Sequence, residues 1–123
     1  MMRNPDAKHL NFSELQGLIP DNPKWLPSNI DMLAERKGKF LLCEWKRPNE
    51  EFGGGQKLLL KALSRQPDFT VLIVQGNTDN GMVVDKFWEL KFDLLRHRGS
   101  STLEFKLFVK RWYEDIPSKP IDD

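Results

Sequence analysis

Cysteine is almost absent from this chain of 123 residues: Cys43 stands alone. That excludes an intramolecular disulfide and a cysteine-rich zinc site, and it suits a reducing compartment. The plainest reading of Cys43 is a small core hydrophobe. Histidine is nearly as scarce, and His9 and His97 lack the spacing of a metal cluster or a catalytic triad. No sign of charge dominates: 19 Lys plus Arg meet 18 Asp plus Glu. Composition therefore gives no evidence for a polyanionic partner, and any basic surface must be local. Long apolar runs are missing, and residues 1–9 carry no apolar signal region, so the expectation is a soluble cytoplasmic protein without a membrane partner. No internal repeat or low-complexity tract interrupts the chain.

This length fits a single domain over residues 1–123, with 1–10 and 117–123 expected to fray. Asn11 and Glu14 have the spacing of a capping box and predict a short helix ending near Gly17. Pro20, Pro23 and Pro27 make Ile19 to Ser28 irregular, because each removes a backbone donor and restricts the residue before it. A hairpin is predicted over Asn29 to Lys46, stopped by Pro48. After the Gly53-Gly54-Gly55 linker comes a helix from about Gln56 to Arg65, with Leu59, Leu60 and Leu63 toward a sheet and Lys57, Lys61 and Arg65 along its exposed side.

Phe69 to Val74 is apolar on both faces, as in a buried strand reached by a crossover helix. Met82 to Phe92 reads as a strand with Val84, Trp88, Leu90 and Phe92 on one face, although Phe87, Leu90 and Leu94 also match a helical stripe. Ser101 and Glu104 form a second capping box, opening a last helix to about Asp115 with Leu103, Leu107 and Trp112 inward; the alternation of Leu103, Phe105, Leu107 and Val109 is the competing strand reading.

Strand periodicity in the hairpin carries the functional argument. Residues two apart share a face, so Glu44 and Lys46 project together. If Lys37-Gly38 makes the turn, Arg36 faces Lys39 and Asp31 stands opposite Glu44, while Ala34 with Leu41, Met32 with Cys43 and Ile30 with Trp45 form an apolar second face. A three-residue turn at Arg36-Lys37-Gly38 is the competing register. Charges beside a strand as apolar as Phe40 to Cys43 are costly and usually functional. The bland alternative is a cross-strand ion cluster on a solvated face.

At Asp31 and Glu44-Trp45-Lys46 the chain resembles the PD-(D/E)xK nuclease superfamily, in which an acid on one strand is followed by acid-x-Lys on the next. The resemblance covers about Asn29 to Gln75 and is closest in kind to the small nucleases and junction resolvases of phages and mobile elements. It implies an α/β restriction-endonuclease-like core: a mixed central sheet with the hairpin, a crossover helix and a third core strand, flanked by helices. The implied activity is Mg²⁺- or Mn²⁺-dependent DNA endonuclease cleavage leaving 5′-phosphate and 3′-hydroxyl ends.

Asp31, Glu44 and the Trp45 carbonyl would then be the metal ligands, suited to a hard ion that keeps several waters. Lys46 would offset transition-state charge, and Gln56 would be an auxiliary catalytic residue. Glu14 is a candidate outer acid, with the capping box as its equal competitor, and Asp21 is a rival for the first acid. Arg47, Lys57, Lys61, Arg96, Arg98, Lys110 and Arg111 are candidate phosphate contacts, and Trp112 and Tyr113 candidate stacking partners. So small a domain suggests a homodimer acting on DNA, branched or linear. The alternatives are a Holliday-junction resolvase of this fold and a non-catalytic nucleic-acid-binding module.

Overall fold

The computed structural model describes residues 11–50 and 54–116, with the side chains of the first helix from residue 57 onward. The termini expected to fray lie outside the described residues. A single 3-10 turn at Ser13–Leu15 precedes β1 (Met32–Arg36), β2 (Lys39–Lys46), α1 (Gly54–Ser64), β3 (Phe69–Asn77), β4 (Val83–Lys91), β5 (Leu94–Gly99) and α2 (Thr102–Asp115). The five strands form one sheet in the order β1-β2-β3-β4-β5. β2 and β3 are parallel and every other neighbouring pair is antiparallel. The parallel pair follows from α1, because returning to the same edge in the same direction requires a crossover. The molecule is thus an α/β protein with a mixed sheet between two helical layers. Among the described residues no helix is long and apolar enough to cross a membrane.

The two sheet faces read directly from alternation along β2 and β3. Leu41, Cys43, Leu72 and Val74 point to one side, where Phe87 and the α2 residues Phe105, Phe108 and Trp112 close over them. Leu42, Val71, Ile73 and Leu90 point to the other, under Leu60 and Leu63 of α1. Phe105 meets Phe87 edge-on with centroids 5.4 Å apart, a favoured aromatic geometry.

The expected register holds over β1, with Met32 paired to Cys43, Ala34 to Leu41 and Arg36 to Lys39, but the ladder ends there, and the expected pairs Asp31 with Glu44 and Ile30 with Trp45 do not form. Lys37 and Gly38 form the two-residue turn with φ of 52° and 83°. Both angles are left-handed, as a type I′ turn requires. The hairpin is shorter than the Asn29 start implied, since Asn29, Ile30 and Asp31 precede the first strand.

Three further expectations are corrected. Asn11 and Glu14 make no capping box; Asn11 Oδ1 accepts the Ser13 amide at 2.8 Å in an Asx turn, and the helix stops after one 3-10 turn. β4 is a strand, but its alternation shifts at a bulge between Gln75 and Gly76 on β3, where Asp85 is the extra residue, so Val84 joins Phe87 on the α2 side. The segment 94–99, to which the sequence pattern assigned no element, is a fifth strand. In α2 the inward residues are Phe105, Phe108, Val109 and Trp112, whereas Leu103 is 67% exposed and Leu107 also faces out.

Candidate active site

Parallel β2 and β3 end together, and α1 begins at that same carboxyl end of the sheet because the crossover starts there. Crevices outside the carboxyl ends of parallel strands are the usual binding places in α/β sheets. Glu44 and Lys46 sit in the last three residues of β2, on the face covered by α1. Glu44 lies beside Ile73 and Lys46 beside Gln75 across the parallel pair. Glu44 is only 5% exposed. A carboxylate so placed costs free energy unless bonded or used, and Glu44 and Lys46 both have interaction partners in the structure. Lys46 Nζ lies 3.4 Å from the Glu50 carbonyl oxygen and 5.8 Å from the centre of the Trp88 ring.

Asp31 stands one residue beyond the last hairpin pair, at a bend. One of its carboxylate oxygens accepts the Trp45 amide N–H at 2.9 Å. The side chain therefore takes the place that a continued strand would have filled and holds Asp31 against the Glu44-Trp45-Lys46 segment. An extended residue directs its N–H and C=O to the same side, so the Trp45 carbonyl is turned toward Asp31 as well. The exposed Asp31 carboxylate lines a cleft of about 590 Å³ with Trp45, Arg47 and Asp79, on the Trp45 side of β2. Glu44 projects from the opposite side. The structure thus joins Asp31 to the middle residue of the acid-x-Lys segment and gives no contact between the two carboxylates themselves.

Arg47 is engaged by Asp79 in a two-pronged pair of 3.1 and 3.2 Å, and this neighbour pushes the guanidinium pKa up. Its backbone amide donates to a Glu50 carboxylate oxygen at 2.8 Å. Lys57 and Lys61 lie on α1, Lys61 half-buried. Arg98 makes a forked pair with Glu89 at 2.6 and 2.8 Å. Arg96 pairs with Glu89 across β4 and β5, while Lys110 and Arg111 are exposed on α2. All four belong to the layer opposite Glu44.

Glu14 is exposed in the isolated 3-10 turn, and Asp21 is exposed in the proline-rich loop. The Gln56 side chain lies outside the described residues, although its backbone falls in the first turn of α1. Trp112 is committed to the core, and Tyr113 to Arg36, whose guanidinium lies 3.8 Å from the ring centre.

Two asparagine-free hard-oxygen side chains and a carbonyl are the kind of donor set that magnesium takes while retaining water. Among the described residues no group of three or more His, Cys, Asp or Glu side chains gathers to hold a metal. Any ion held by Asp31 and Glu44 would thus depend on the Trp45 carbonyl and water for its remaining ligands.

The residues that sequence reasoning passed over are Trp88, Lys86 and Asp79. Lys86 and Trp88 are two apart on β4 and share the face of Lys46, a pattern visible as Lys-x-Trp once β4 is known to lie beside β3. No family model, curated protein or solved structure matches this chain.

Proposed function

We propose that this protein is a metal-dependent DNA endonuclease with a restriction-endonuclease-like core, in which Asp31, Glu44 and Lys46 form the catalytic group. The observation that carries the reading is the 2.9 Å hydrogen bond from the Trp45 amide to Asp31, which keeps the first acid beside the acid-x-Lys segment although its carboxylate lies on the Trp45 side of β2. The hairpin, crossover helix and parallel third strand support it, as does the buried Glu44 at the carboxyl end of an otherwise apolar strand.

To share an ion with Glu44, the Asp31 carboxylate would have to leave the Trp45 amide and swing round the strand end to the α1 side, with the Trp45 carbonyl and water completing the ligands. When bound, a divalent metal polarises a water and neutralises charge developing on the phosphoryl oxygens. The chain supplies the rest. Lys46 brings an ammonium with three N–H donors to the same face as Glu44 and offsets charge on the non-bridging oxygens. Ile73, beside Glu44 on β3, excludes water from behind the carboxylate and keeps its interactions strong.

The test is cleavage of supercoiled plasmid in Mn²⁺ and in Mg²⁺. Lys46→Ala and Glu44→Gln should each lower the rate by about a hundredfold or more, the scale set by removing one transition-state charge partner. A chelator should stop cleavage while leaving the unfolding temperature in place, because the core stands without the ion. Undiminished cleavage by Lys46→Ala protein overturns the assignment. A four-way junction cut faster than a linear duplex under the same metal condition would identify the enzyme as a junction resolvase.

A further inference from the structure

α1 covers only part of its side of the sheet. Leu60 and Leu63 pack over residues of β2, β3 and β4, whereas β5 is exposed from Leu94 to Arg98. Strand register fixes what the uncovered strip displays. Lys46 pairs with Gln75 and Gln75 with Lys86, so these three form one cross-strand row. Trp88 pairs with His97 in the next row on the same face. The half-buried Trp88 ring has the Lys46 and Lys86 ammonium groups 5.8 and 5.5 Å from its centre. The His97 ring stands nearly edge-on to it at 6.4 Å.

The helix forms the other wall of the strip. Arg65 bonds Asp93 in the β4–β5 turn at 3.1 Å, and Ser64 Oγ lies 3.1 Å from the Phe92 carbonyl oxygen. These contacts turn that side of α1 toward β5. Lys61 and Lys57 lie one and two turns before Arg65 on the same stripe. Of the acids bordering the strip, Glu44 is buried at its end, Asp93 is bound to Arg65, and Asp85, the bulge residue beside Lys86, is exposed.

We propose that this strip binds an unpaired DNA strand, with one base stacked on Trp88 and flanking phosphates held by Lys86, Lys57 and Lys61. The proposal rests on the endonuclease reading and adds its substrate class, DNA with a single-stranded or splayed segment next to the cut. A duplex presents phosphates outward and hides its base faces, so cations alone would serve it. An indole between ammonium groups matches a strand whose bases are free to stack. Lys46 belongs both to this row and to the catalytic group, so a strand lying on Trp88 leads its phosphates past Glu44.

The experiment measures binding in chelator, where nothing is cut, by fluorescence anisotropy of a labelled oligo-dT of about 20 nucleotides and of a blunt duplex of the same length. Wild-type protein should prefer the single strand and lose tryptophan fluorescence on binding it. Trp88→Ala should weaken single-strand binding by about tenfold and leave duplex binding within about twofold. Trp88→Phe should keep part of the affinity and lose most of the fluorescence change. Lys86→Ala, at an exposed position, should reduce the slope of log affinity against log salt by about 0.7.

No single-strand preference in wild type, or a Trp88→Phe protein with an unaltered fluorescence change, overturns the proposal. If Trp88→Ala fails to fold, Trp88→Phe and Lys86→Ala decide. Binding of oligo-dT without cleavage in Mn²⁺ would remove the endonuclease reading and keep the strand-binding strip. Normal cleavage with no dependence on Trp88 would do the reverse.

Discussion

Cys43 and Glu44 are consecutive and both buried, yet they enter opposite layers. Burial raises the Cys43 thiol from its ordinary value of 9.0 to about 12, because the thiolate cannot be solvated among Leu41, Leu72 and Phe105. The unfolded chain loses this proton near pH 9 while the folded chain keeps it. Cys43 therefore costs no stability below pH 9, and its contribution falls by about 1.4 kcal/mol per pH unit from there toward pH 12. Urea unfolding of wild type and Cys43→Ala across this range should show the wild type losing stability more steeply by about that slope. Parallel curves would mean that the thiol ionises freely in the native state. Gly76 is constrained by space: a Cβ there would meet the Val83 carbonyl oxygen at 2.1 Å. Gly76→Ala must push β4 away and should cost at least about 2 kcal/mol, read as a lower unfolding midpoint.

Elements formed from strong local signals match their sequence patterns, and those decided by neighbours do not. The Ser101 cap is fully legible: its hydroxyl accepts the Glu104 amide at 3.1 Å, and Ser101→Ala should cost about 1 kcal/mol in unfolding free energy. Capping fixes where α2 starts without choosing its inward face. Leu103 and Leu107 suggested one stripe, but Phe105, Phe108, Val109 and Trp112 make the fuller one at helical spacing and bury more apolar area.

The hairpin register was legible because one face of β1 and β2 is consistently apolar and Lys37-Gly38 suits a tight turn. Lys37 adopts φ 52°, where Asn is favoured. Lys37→Asn should accordingly raise stability by a few tenths of a kcal/mol or more, measurable as a higher unfolding midpoint. β5 escaped notice because Leu94 to Gly99 has no alternation. Its strand state comes from pairing with β4 through a turn at Phe92, a bulky residue at φ 56° that no turn rule favours. Of the candidate site, the relation of Glu44 to Lys46 needed only strand alternation. The bend that turns Asp31 onto the Trp45 amide depends on where β1 ends, and the row joining Lys46 to Lys86 depends on strand order.

At the scale of the whole molecule, a formal net charge of +1 provides almost no general attraction for DNA, so affinity must come from how charge is divided between the two sides of the sheet. On the α2 side several cations are already bound: Lys39 to Asp68 at 2.7 Å, Arg98 to Glu89 at 2.6 Å, and Arg36 to Tyr113 through its ring and its carbonyl. The α1 side carries Lys57, Lys61 and Lys86 beside the face on which Glu44 and Lys46 project.

Two double reversals separate the sides. Lys57→Glu with Lys61→Glu and Lys110→Glu with Arg111→Glu lower net charge equally, so long-range repulsion of DNA is matched and any difference reports local contact. The α1 pair should weaken binding by more than about tenfold at moderate salt and flatten its salt dependence by one to two units of slope, because about two counterion-releasing contacts are removed. The α2 pair should stay within about threefold of wild type. Equal losses from both pairs would show that DNA contacts the molecule without preference for the Glu44 face, and the site would then have to be sought where both helices are reached at once.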